Sequence, residues 1–94
     1  MADEIIENPI KELRNELGLG QVEFALLLGV HPSNVGHHET GHATGLQRAM
    51  RAGLDSIGFD SKEIAKRYAI WRDQKRKRLL KRLQATKKLE VAVE

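Results

Sequence analysis

The chain has no cysteine among its 94 residues, which excludes a disulfide framework, a thiolate metal site and a thiol nucleophile. Aromatic residues are scarce, limited to Phe24, Phe59, Tyr68 and Trp71. No apolar run approaches the ~18 residues that a membrane span needs. The opening residues MADEIIENP are acidic and interrupted by Pro9, so no secretory signal is expected there. Together these features point to a cytoplasmic protein that does not enter the membrane. At this length one small domain with a short extension is expected, too small for most enzymes with a buried substrate cleft.

Charge is present but unevenly placed. Residues 1–60 carry four basic side chains against nine acidic ones, a net −5, and residues 61–94 carry twelve against four, a net +8. A division of this kind marks an arm that binds a polyanion or a partner more often than a requirement of folding. The chain is accordingly divided at residue 60, into a helical domain (1–60) and a basic C-terminal helix with its tail (61–94).

The apolar pattern reads as five helices and no convincing strand. Residues 1–8 form an acidic lead, frayed in this reading. Asn8 caps a first helix from Pro9 to about Leu17, with Ile10, Leu13 and Leu17 on one face. Gly18 and Gly20 bracket a turn, and a second helix runs from Gln21 to Leu28. The third covers His31 to Thr40, with Pro32 tolerated at its start. Gly41 to Gly45 is a loop, followed by a fourth helix from Leu46 to about Leu54. The fifth starts at Asp60, with Glu63 completing a capping box, and continues to about Leu83 or beyond. The tail Leu89–Val93 alternates with a period of two, which suits a frayed end or a short strand.

Residues 21–41, QVEFALLLGVHPSNVGHHETG, are the most informative stretch. Ala25 is small enough for a close helix crossing. Gly29 suits a left-handed helix end, Val30 and Val35 point back to a core, and Gly41 ends the next helix. These jobs at these spacings fit a helix-turn-helix. From about Ile10 to Phe59, roughly half the chain, the sequence resembles the phage-repressor/Cro type of helix-turn-helix, also called the xenobiotic-response-element family. The resemblance rests on Arg14, Gln21, Ala25, Gly29, Val35, Glu39 and Gly41. It implies an ion pair between Arg14 and Glu39 that pins the first helix to the third. It also implies phosphate contacts from Gln21, His31 and Thr40, and base-edge contacts in the major groove from Pro32, Ser33, Asn34 and His37. Asn34 suits bidentate reading of adenine, and no Arg or Lys on this surface offers the usual partner for guanine.

Four histidines fall within twelve residues. His38 and His42 are four apart, the spacing of two ligands on one helical face, but Gly41 ends the helix between them. Glu39 is better matched to Arg14, and no third ligand is evident. The histidines therefore read as polar surface and loop residues, with no metal or other cofactor expected. No pocket or positioned nucleophile accompanies them, so catalysis is not expected.

In the basic helix, Ile64, Tyr68 and Trp71 lie on one stripe that reads as core packing. Beyond Trp71, basic residues surround the helix, and Leu79, Leu80 and Leu83 form a second stripe, rotated from the first. Three readings compete: an arm along phosphates through Lys75, Arg76 and Arg78, pairing with a second subunit through the three leucines, or a segment that orders on a partner. The first two together are favoured. The expected protein is an all-α, five-helix, repressor-like DNA-binding regulator with a long basic C-terminal helix, dimeric, from a prokaryote, phage or mobile element. Its partners would be double-stranded DNA and a second copy. The alternative is a protein-interaction module on the same scaffold, binding another regulator, a toxin or the transcription machinery.

Overall fold

The computed structural model describes residues 4–93 of the chain, and side chains of residues 4–87. The protein is all-α, with helices α1 (Pro9–Glu16), α2 (Gln21–Leu28), α3 (Pro32–Thr40), α4 (Arg48–Ser56) and α5 (Ser61–Val93), and no strand among the described residues. The backbone over 89–93 is helical, so the alternation there does not form a strand.

Each helix begins and ends for a local reason. Asn8 Oδ1 accepts from the amides of Ile10 and Lys11, and its Nδ2 donates to the carbonyls of His38 and Glu39, tying the start of α1 to α3. Residues 4–8 are not a frayed lead. Gln74 Nε2 donates to the Glu4 carbonyl at 2.7 Å, and Gln74 Oε1 accepts from the Ile6 amide at 2.9 Å, clasping this segment onto α5. Gly20 caps the start of α2, its amide donating to Glu23 Oε1 at 3.1 Å. It ends at Gly29 in the left-handed region, φ 74°, where glycine carries no Cβ penalty. The Val30 amide then bonds back to the Ala25 carbonyl, closing the turn into α3.

Three helix starts differ from the pattern-based expectation, those of α3, α4 and α5. α3 starts at Pro32 because His31 is its cap, and α4 starts at Arg48 because the Gln47 amide is drawn to His38. At α5, Asp60 Oδ1 accepts from the Lys62 and Glu63 amides, but Glu63 returns no bond, so the capping box is half made. Asp55 adds a second cap by accepting from the Ser61 amide at 3.1 Å. Bonding to Ser61 holds the Asp55 carboxyl below its usual pKa.

The core gathers Ile10, Phe24, Ala25, Leu28, Val35, Met50, Leu54, Tyr68 and Trp71, drawn from all five helices. Tyr68 and Trp71 place the first half of α5 in this core with residues 1–60. The Tyr68 hydroxyl donates to the Ala43 carbonyl at 2.7 Å. α2 crosses α4 at Gly53, where a Cβ would lie 2.4 Å from the Leu28 carbonyl oxygen.

Candidate nucleic-acid interface

The arrangement of α2, its turn and α3 leaves one face of α3 open. Ser33, Gly36, His37 and Thr40 lie at i, i+3, i+4 and i+7, and Ser33, His37 and Thr40 are exposed. Val35 and His38 face inward. Pro32 and Asn34 flank the open stripe and are half-buried. Gly36 lies within the stripe with no atom inside 4 Å of where a Cβ would be, so the helix backbone itself is approachable there.

Arg14 and Glu39 hold α3 in place. Arg14 Nε and Nη2 donate to the two Glu39 carboxylate oxygens at 2.7 and 2.9 Å, a bidentate pairing. A third bond runs from Nη1 to the Leu19 carbonyl at the turn before α2. The carboxylate raises the arginine pKa despite its partial burial. Gln21, exposed at the first position of α2, donates to Glu39 Oε1 at 3.4 Å and so joins the same cluster.

His31 is placed by its capping role. Its Nδ1 accepts from the Ser33 amide at 3.1 Å and lies 2.8 Å from Ser33 Oγ. In the neutral ring this puts the proton on Nε2, leaving an exposed donor at the start of α3.

His38 is not a surface residue, contrary to the sequence-based expectation. It is fully buried against Tyr68, with ring centroids 5.6 Å apart and the rings tilted by 55°. Nδ1 donates to the Asn34 carbonyl, and Nε2 accepts from the Gln47 amide at 3.1 Å. These two bonds require the neutral ring with its proton on Nδ1. Burial lowers the ring's pKa, partly opposed by the Asn34 carbonyl and reinforced by His37. Spacing carried this signal, since His38 sits three residues after Val35 on the buried side of α3.

The basic residues of α5 divide into two groups. Lys75 Nζ donates to the Thr40 carbonyl at 2.9 Å and lies over the Trp71 ring, and Arg72 Nε donates to the Gly41 carbonyl at 3.0 Å. Both close the C-terminal end of α3, where carbonyls lack helical partners and the helix dipole favours cations. Lys75 is thus a tether of α3, and Arg72 is a site residue that sequence reasoning missed. Arg76 and Arg78 are exposed, as are Leu79, Leu80 and Leu83. Arg78 also lines a groove of about 580 Å³ with Ile5, Ile6 and Glu7.

Another apolar surface lies on α2, where Val22 and Leu26 are 67% and 82% exposed and Leu27 accompanies them. No helix among the described residues is long and apolar enough to cross a membrane. In comparisons with known proteins, no family model, curated protein or solved structure matches the chain.

Proposed function

We propose that the chain is a sequence-specific DNA-binding regulator of the phage-repressor/Cro helix-turn-helix kind, acting as a dimer. In this reading α3 enters the major groove, with Ser33 and His37 facing base edges and Asn34 and Pro32 at the margins. Gln21, the His31 Nε2 proton and Thr40 meet phosphates. Arg76 and Arg78 supply the non-specific attraction that the acidic first sixty residues lack, and Leu79, Leu80 and Leu83 meet a second copy. The observation that carries the reading is the open stripe Ser33–Gly36–His37–Thr40 on a helix pinned by Arg14–Glu39 and joined to α2 by a Gly29 turn. A short helix presented rigidly at this kind of turn is the geometry with which such proteins read DNA.

Titration against random duplex DNA and a selected-site pool, at two salt concentrations, tests the proposal. A preferred site bound about 10³-fold or more tightly than random DNA is expected. Replacing Asn34 and His37 with Ala should erase that preference while leaving random binding in place.

The second reading, a protein-interaction module, is favoured by the exposed Val22, Leu26 and Leu27 on α2, a surface that DNA contact by α3 does not use. Uniform, salt-labile binding to every duplex would overturn the first reading in favour of this one.

A further inference from the structure

The geometry points to a two-histidine site for a divalent transition-metal ion at His37 and His42. It is independent of whether the same face reads DNA. Sequence spacing pairs His42 with His38, but the fold pairs it with His37. α3 ends at Gly41 in the left-handed region, φ 86°, and the reversal carries His42 back beside the last turn of the helix. The two rings are 4.7 Å apart between centroids and tilted by 46°.

That distance suits chelation. Two imidazoles each giving one nitrogen to a metal at about 2.0–2.1 Å, with ligand angles between about 90° and 109°, have centroids roughly 4.5–5.2 Å apart. The backbone beneath the rings is tied together. The Thr40 hydroxyl donates to the His37 carbonyl and accepts from the His42 amide, each at 3.4 Å, and the Ala43 amide donates to the His37 carbonyl at 3.1 Å. Ala43 is itself buried, which anchors the loop.

The other two histidines are committed elsewhere: His31 Nδ1 caps α3, and both nitrogens of buried His38 hold backbone groups. The ring nitrogens of His37 and His42 make no hydrogen bond among the described residues, and both side chains are exposed. Among the described residues no cluster of three or more His, Asp or Glu exists, so the pair supplies two ligands and leaves the remaining positions to water or an incoming ligand. Two imidazoles without a carboxylate select Zn²⁺, Ni²⁺ or Cu²⁺ and not the oxygen-seeking Mg²⁺ or Ca²⁺.

The test is calorimetric titration of the intact chain with zinc chloride in a non-chelating buffer, with the imidazole signals followed by NMR. One ion per chain is expected, shifting the signals of His37 and His42 and leaving those of His31 and His38 in place. His37→Ala and His42→Ala should each weaken binding by about tenfold or more, and His31→Ala should leave it unchanged. Both positions are exposed, and His37→Gln and His42→Gln repeat the measurement with side-chain bulk kept. Binding that survives both substitutions, an equal response to magnesium, or no response at about 1 mM zinc overturns the site.

Discussion

The first half of α5, residues 61–75, and the stretch from 76 to 87 belong to one helix and are both rich in lysine and arginine, yet they have opposite surroundings. Through Lys75 the helix is tied to the domain on several sides: Tyr68 to Ala43, Arg72 to Gly41, Lys75 to Thr40 and Gln74 to Glu4 and Ile6. From Arg76 to Lys87 every residue is exposed. The bonds of this stretch stay within its own helix, an exposed Lys77–Asp73 pair and a Thr86 hydroxyl on the Arg82 carbonyl. At about 1.5 Å per residue, the 33 residues of α5 span about 50 Å, close to the 56 Å long axis of the molecule. Composition therefore does not decide which cations become structural. Arg72 and Lys75 are structural because the open carbonyl end of α3 lies beside them.

The strongest way to break this comparison is to strip an apolar anchor from the near half. Trp71 is 7% exposed, packs against Tyr68 and sits under Lys75. Trp71→Ala should cost about 3–5 kcal/mol, read from urea unfolding, and should also loosen α3 through Lys75. A loss below about 1 kcal/mol would mean that the near half is as detached as the far half. Next in size is Glu39→Ala, which leaves the Arg14 guanidinium facing the α1–α3 junction unpaired. Both side chains are mostly but not wholly buried, at 14% and 6% exposed. A cost of about 2–3 kcal/mol is expected, below the 3–5 typical of fully buried pairs. Neither change should alter far-half helicity.

The buried stripe of the near half and several helix ends were legible in the chain, and the contacts between elements were not, for a physical reason. Tyr68 and Trp71 announce a buried stripe, Asn8 and Gly29 announce helix ends, and each signal is local. Gly53 announces nothing local. Glycine in a helix interior ordinarily weakens the helix, whereas here it is the gap that lets α2 pass, with a Cβ there set 2.4 Å from the Leu28 oxygen. From Phe24 to Leu28 α2 is apolar without a break, so periodicity gives it little phase, and the exposure of Val22 and Leu26 emerges only from the packing. Gln74 looks like one more polar residue in a charged run until the chain's first residues return to meet it. His38 is the clearest case. Its spacing after Val35 puts it on the buried side of α3 with the Asn34 carbonyl one turn back, but the Gln47 amide that satisfies its other nitrogen is brought to it only by tertiary structure. The family resemblance placed Pro32, Ser33, Asn34 and His37 together at the outer side of α3, and of these Ser33 and His37 are exposed, whereas the roles of Lys75 and Arg72 depend on where α3 ends.

His38 also separates the two regions by pH. Residues 61–94 contain no histidine, so any histidine-linked stability belongs to the first sixty residues. Burial holds the folded ring's pKa below the ordinary value of about 6.5. The unfolded chain thus takes up the proton first, and stability rises with pH between the folded and unfolded values. The contribution is complete above pH of about 6.5 and is lost as pH falls from there toward the folded pKa. A protonated Nε2 would also face the Gln47 amide donor to donor. Urea midpoints measured from pH 7.5 down to 5.5 should fall, and His38→Leu should flatten that fall even though it lowers stability throughout. An unchanged slope in His38→Leu would assign the pH response to other groups.

The smallest effect is expected from the far half itself. Leu79, Leu80 and Leu83 are 50%, 36% and 50% exposed, so replacing all three with Ser should change the unfolding free energy of the monomer by less than about 1 kcal/mol. A loss of several kcal/mol in dilute protein would mean that these leucines cover the domain. Their expected role is with a second copy, and there the surrounding cations give the measurement a sign. Two such arms laid together bring Arg76, Lys77, Arg78, Lys81 and Arg82 of each copy close, so added salt screens the repulsion and should favour the dimer. Salt weakens contact of the same cations with phosphates, by a slope of about 0.9 per contact. Sedimentation and DNA titration across one salt series should therefore move in opposite directions, and the triple Ser variant should lose the first trend while keeping the second. If both trends vanish together, the leucines and the cations act on the same partner, and the arm binds DNA only as a dimer.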